Sequence, residues 1–313
     1  MVTTPILYIV FNRLDTVKQT FPKIREVQPE QLFIAADGPR PDKAGEDIKC
    51  KVVREWILSH IDWHCKVQTL FRGKNLGCKY GPAGALQWFF SYVDQGIILE
   101  DDCYPDKSFF SYCSELLEKY KDENKIRMIS GRNNCSIYRP EKQSYYFTTG
   151  GGIWGWATWK REVIKFNPDR VFPPEKIIYE ALLDFTDDAD ESALIASEAQ
   201  KSYHKNYRAW DYQWGVEGKL NKQVAITPAK NLIKNLGFSP DSTHFFEEKN
   251  DFAKLKSLRF PLKHPQKIEL DYTLSKKIAH TAFPTSKILV VIRFLKRVFR
   301  KLKKIAKQVL YAK

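Results

Sequence analysis

The sequence has no run of eighteen apolar residues free of charge, which argues against a membrane-crossing helix. It has no two cysteines separated by just two residues. Cys50, Cys65, Cys78, Cys103, Cys113 and Cys135 stand singly, which speaks against a structural zinc site or a dithiol motif. No basic segment and small-residue cleavage site flank the apolar residues 6–11, and six residues are too few for a signal peptide, so the thiols are expected reduced and packed in a cytosolic protein. There is no internal repeat. No acidic residue follows Asp271.

What is present is apolar and aromatic. Of the 313 residues, 43% are hydrophobic and 14% aromatic, enough to bury a sizeable core and to exclude a disordered chain. The length suits one large domain or two modest ones. The formal net charge of +14 is uneven: twelve Lys or Arg lie beyond Asp271, leaving the preceding residues at about +2. The question of partners therefore divides between body and tail.

Within the first hundred residues, short β-branched runs at 6–11, 32–36, 67–71 and 97–99 alternate with stretches of helical spacing at 15–27, 45–61 and 79–93. This alternation predicts an α/β fold with a mostly parallel sheet covered on both faces, whose ligands bind at the carboxyl ends of the strands. Those ends are polar throughout: Asn12-Arg13, Asp37-Gly38-Pro39-Arg40, Arg72 to Gly77, and Glu100-Asp101-Asp102. A helix over 108–120, a strand over 125–130, a Gly/aromatic segment over 150–159 and a strand over 223–227 follow. Residues 160–205 read as less regular.

Three consecutive acids repel one another. A hard divalent cation, Mn2+ or Mg2+, resolves that conflict and takes its other ligands from water and substrate phosphates; the bland alternative is an acidic turn facing water. The segment Ile98-Leu99-Glu100-Asp101-Asp102-Cys103-Tyr104-Pro105 resembles the metal-binding segment of GT-A fold glycosyltransferases related to N-acetylglucosaminyltransferase I, and of bacterial haemolysin-like glycosyltransferases. Further matches run in the same order: residues 6–13, Asp37, Ile129 to Asn134, Gly151-Gly152-Ile153-Trp154-Gly155-Trp156, Trp210-Asp211, and Ser242-Thr243-His244-Phe245-Phe246. Together they cover residues 5–250.

The resemblance implies a GT-A fold: a Rossmann-like, mixed but mostly parallel sheet flanked by helices. It implies that Asp102 ligates the metal, with Glu100 and Asp101 beside it in the nucleotide site. By the same resemblance Arg13 approaches the nucleotide, Asp37 lies near base and ribose, Trp156 and His244 belong to the donor site, and Asp211 is the base. Charge neutralisation on a departing diphosphate adds Lys79 as a supplementary cation. Trp154, Trp156 and Trp159 suit sugar stacking and core burial equally, and a lone His244 beside two Phe suits packing equally well. The chain departs from the family in lacking the membrane anchor and stem of the animal enzymes, which fits a cytosolic bacterial-type protein. It also has Tyr212-Gln213 where the animal enzyme has an acid and Trp, and residues 160–205 have no counterpart there.

The expected organisation is a catalytic domain over 1–250, divided near 105 into nucleotide and acceptor halves, a linking segment over 251–286, and a basic amphipathic helix over 287–313. In that last stretch apolar residues recur every three or four positions among ten cations and no acid, the pattern of a helix lying on an anionic membrane rather than on nucleic acid. The expected activity is metal-dependent, inverting transfer of a sugar from a nucleotide sugar, a UDP-sugar first, to a hydroxyl of a glycan or lipid-linked acceptor in cell-surface polysaccharide synthesis. The site of action is the cytoplasmic face of the cell membrane. Alternatives are a sugar nucleotidyltransferase, or a non-enzymatic membrane-binding protein acting through the tail.

Overall fold

The structure, a computed structural model, describes residues 2–204, 209–237 and 254–282, with the backbone alone for 200–204. His244 and the basic stretch 287–313 lie outside the described residues.

The amino-terminal alternation produces β1 (Ile6–Val10), α1 (Leu14–Val27), β2 (Gln31–Ala36), α2 (Glu46–Ser59), β3 (Lys66–Phe71), α3 (Gly77–Tyr92) and β4 (Gln95–Glu100). A crossover helix between strands makes them parallel, and β3 with β2, β2 with β1 and β1 with β4 all pair that way. Then follow β5 (Cys103–Pro105), α4 (Lys107–Lys119), β6 (Ile126–Ser130), β7 (Tyr145–Thr148), β8 (Trp156–Trp159), α5 (Lys160–Val163), α6 (Glu175–Thr186), α7 (Ala189–His204), α8 (Asp211–Leu220), β9 (Val224–Pro228), β10 (Ile233–Asn235) and α9 (Tyr272–Ala282).

The main sheet has eight strands in the order β3-β2-β1-β4-β8-β6-β9-β7. Only β8 and β7 run against the rest, so the carboxyl ends of the other six lie along one edge. A separate two-stranded antiparallel sheet joins β10 to β5, setting Asn235 opposite Cys103.

Side chains of a strand alternate between its two faces, and β1 has a core on each. Ile6, Tyr8 and Val10 pack with Phe21 and Ile24 of α1, Val53 and Ile57 of α2, and Leu116 of α4. Leu7 enters the other core with Phe33, Leu86 and Phe89 of α3, Trp156 of β8 and Trp214 of α8. Each such side chain contributes roughly 1.5–3 kcal/mol on burial. The sheet is thus held from both sides while its carboxyl edge stays open for chemistry.

Two expectations change here. Residues 160–205, read as irregular, contain α5, α6 and α7; Ile178 and Leu182 of α6 and Ile195, Ala196 and Ala199 of α7 form a small core with Val216 of α8. The 254–282 part of the expected linking segment packs on the body. Leu258 and Leu262 join the core of α1 and α4, Leu274 of α9 is buried against Tyr146, and Lys263 N donates to Ser144 Oγ at 2.9 Å. The helices of the first stretch bury their apolar faces against one another, and the second stretch takes its order from contacts with the finished body.

Candidate active site

The acids sit where the chain leaves β4. Glu100 ends the strand, and Asp101 and Asp102 form the turn into β5. Two polar bonds hold that turn: Thr20 Oγ1 of α1 donates to the Asp101 carbonyl at 3.1 Å, and Leu236 N, just past β10, donates to the Asp102 carbonyl at 2.8 Å. Arg13, the residue between β1 and α1, places its guanidinium on the acids. Its Nη2 pairs with Asp101 Oδ1 and, at 3.1 Å, with Asp102 Oδ2. Asp101 is 3% exposed, and its Oδ2 is buried with no hydrogen-bond partner.

One cation against three acids leaves the cluster short of positive charge. Burial first, and then the charges of Asp102, Asp101 and Asp211, push the Glu100 carboxyl up to about 8, Arg13 countering only in part. Burial likewise raises Asp101 to about 6 while Arg13 pulls it down. Asp211, the first residue of α8, lies near enough for its charge to contribute to that rise, across more than a hundred residues of chain.

A thiol reports the same convergence. Cys78, the second residue of α3, is exposed, and its pKa is raised by desolvation and then by Glu100, Asp37 and Asp211. It was expected to be a packed cysteine. Cys50, Cys103 and Cys113 are indeed buried, but Cys78 stands at the meeting point of elements that follow β2, β3 and β4. Its position just after the third strand was the available signal.

No protein-family model matches the chain, and no curated protein matches its sequence. Solved structures with some likeness include HddC from Yersinia pseudotuberculosis, 11% identical over 52% of this chain and 80% of that one, with a TM-score of 0.33. They also include mouse xyloside xylosyltransferase 1 in its apo form, 10% identical over 71% of this chain and 84% of that one, with a TM-score of 0.34. Likeness at this level assigns neither activity nor substrate.

The remaining expected residues divide. Asp37 does not point into an open site: its carboxylate accepts from Leu76 N and Gly77 N at 2.9 Å, and from Gly38 N at 3.0 Å, fastening the start of α3. Lys79 forms an ion pair with Asp169 at 2.6 Å. Trp156 is fully buried; it stacks on Trp210 at 5.8 Å between ring centroids and packs against Trp214 at 5.2 Å, so it supports Asp211 from below and presents no face to a sugar. Trp159 is core as well. Trp154 is half-buried, with the Arg132 guanidinium 3.4 Å from its ring centroid.

Other participants had no signal in the sequence. Asn235 and Gly237 arrive beside Asp102 through the β5–β10 pairing. A Cβ on Gly237 would sit 2.5 Å from Asp102 Oδ2 and 3.0 Å from Asn235 Oδ1, so any other residue there would displace the Asp102 carboxylate. A cavity of about 340 Å³ opens beside Asp211, lined among others by Met128, Ile153, Trp154, Tyr212, Lys219 and Ile278. It is largely apolar with a few polar groups, the character of a small-molecule site.

The donor set suits a hard divalent cation. The atoms at hand are oxygens, from Asp102, Glu100 and Asn235, and the buried Asp101 Oδ2 lacks a partner. Among the described residues no three His, Cys, Asp or Glu converge into a ready cage. A metal held here takes most of its ligands from substrate and water. No described helix is long and apolar enough to cross a membrane.

Proposed function

We propose that this protein transfers a sugar from a nucleoside-diphosphate sugar to a hydroxyl acceptor, with Asp102 holding Mn2+ or Mg2+ and Asp211 acting as general base. The observation that carries this reading is the meeting of Asp211 with the acid triplet at the carboxyl edge of the sheet.

Such a reaction needs positive charge on the departing diphosphate and an acceptor for the proton of the attacking hydroxyl. Arg13 supplies fixed positive charge, and α1 and α8 begin at the site, so their positive dipole ends favour an anion there. A divalent cation, when bound, supplies Lewis-acid neutralisation of the diphosphate. Asp211 stands at the wall of the 340 Å³ cavity, a suitable entry for an acceptor hydroxyl. A base and a diphosphate site on opposite sides of the sugar favour direct displacement with inversion at the anomeric carbon. The basic stretch 287–313 supports action at an anionic membrane surface, on a glycan or lipid-linked acceptor.

The test is a panel of nucleotide sugars with Mn2+, read by thermal protection and by donor hydrolysis. One nucleotide sugar is expected to protect the protein and to release its nucleoside diphosphate. Asp102→Ala is expected to lose metal-dependent turnover, and Asp211→Asn to bind donor but not transfer. Protection by a nucleoside triphosphate with release of pyrophosphate would replace this reading with nucleotidyl transfer.

A further inference from the structure

The two sides of the site are carried by two helices, α3 with Cys78 in its first turn and α8 with Asp211 at its start. The 164–174 loop, between α5 and α6, touches both. Asp169 Oδ1 accepts from Lys79 Nζ at 2.6 Å and from Tyr80 OH at 2.8 Å, both in the first turn of α3. The next residue, Arg170, pairs with Glu217 of α8. The other oxygen of Glu217 accepts from Arg127 Nη2 at 3.1 Å, and the Arg127 guanidinium lies 3.9 Å from the centroid of the Trp214 ring.

We propose that Asp169-Arg170 is a strap that sets the separation between Asp211 and the acids after β4, with both as positioning residues. Consecutive Cα atoms are fixed about 3.8 Å apart, so gripping α3 with one residue and α8 with the next leaves the helices little room to drift. The two grips differ in strength. The Glu217 end is anchored among side chains 3% and 6% exposed, whereas Asp169 is 56% exposed. An exposed ion pair contributes little to stability, so cutting the α3 end barely changes Tm, while misplacement of a base by about 1 Å lowers turnover by as much as ~100-fold. The same geometry makes Lys79 a partner of the strap rather than of the diphosphate.

The rate consequence rests on the proposed role of Asp211; the mechanical one does not, and Cys78 reads it directly. Iodoacetamide modification of Cys78, followed by peptide mass spectrometry, is expected to change severalfold in Asp169→Asn and equally in Arg170→Ala. Arg170→Lys, which keeps the pair, is expected to restore the wild-type rate. An unchanged Cys78 rate in Arg170→Ala would overturn the strap, because a merely local contact at Lys79 transmits nothing from α8. With a turning-over donor in hand, Asp169→Asn and Lys79→Ala are each expected to lower kcat about tenfold or more at unchanged donor KM and Tm, and their combination to be no worse than either alone. A raised donor KM confined to Lys79→Ala would instead make Lys79 a donor contact and sink the proposal. If no nucleotide sugar binds at all, the functional reading fails while the Cys78 result still decides the strap.

Discussion

Arginine meets carboxylate in two clusters with opposite balance. At the end of β4 one guanidinium, Arg13, serves Asp101 and Asp102, with Glu100 and Asp211 adding negative charge nearby. On α8 one carboxylate, Glu217, lies between two guanidinia, Arg127 and Arg170. Each cluster has a buried carboxylate and a guanidinium that reaches water, Arg13 at 33% and Arg170 at 44% exposure, so burial does not distinguish them. The first keeps a deficit of positive charge that a ligand can fill; in the second the one carboxylate is paired on both oxygens, although Arg127 Nε has no partner, and the cluster holds α8 in place. An unbalanced cluster in an otherwise well-packed protein marks where a partner belongs.

The largest expected break in this contrast is Glu217→Ala. It strands Arg127 in the interior and is expected to lower stability by roughly 3–5 kcal/mol in urea denaturation. Filling the other cluster is expected to stabilise: Mn2+ with a nucleoside diphosphate at a hundred times its Kd adds about 2.7 kcal/mol, read as a rise in Tm that neither component gives alone.

The pH dependences have opposite signs. The Glu100 pKa is raised on folding, so its protonated form favours the native state at low pH, and that stability is lost as pH rises from the ordinary carboxyl range through about 8. Glu100→Gln removes the loss and is expected to be the more stable protein at pH 8, the gap closing toward pH 5 in urea denaturation. Glu46 is the balanced counterpart. The Arg40 side chain holds it below the ordinary range, helped by Arg40 N and Asn12 Nδ2 at 2.7 and 2.9 Å. Its stabilisation is present above the ordinary carboxyl pKa and lost as pH falls. Glu46→Gln is accordingly expected to lower Tm at pH 7, at a stability loss of about 1 kcal/mol, and to match the wild type near pH 3. Equal slopes in the two variants would remove the distinction between an acid short of positive partners and one well supplied with them.

The amino-terminal half was legible because its cues are local. The short apolar, β-branched runs at β1, β2 and β4 and the three-and-four spacing of α1 to α3 need no knowledge of the rest of the chain, and strand ends then mark Arg13 and Glu100-Asp101-Asp102. The carboxyl-terminal half was less so. The segment of α6 and α7 is rich in acids, and although its apolar residues are as frequent as elsewhere, its helices bury them mainly against each other and Val216. The strand β8 reads as a Gly/aromatic loop because its place, antiparallel between β4 and β6, is a long-range choice.

The residues themselves determined the chemistry available: oxygen donors after the fourth strand, an arginine after the first, and an acid between tryptophans far along the chain. Tertiary structure decided what each does. It set Arg13 on Asp101 and Asp102, bound Asp37 to the start of α3, buried Trp156 against Trp210 and Trp214, joined Lys79 to Asp169, and left Cys78 exposed in the first turn of α3. The reason is that composition and periodicity are properties of neighbouring residues, whereas burial and the identity of a charge's partner depend on residues a hundred positions away.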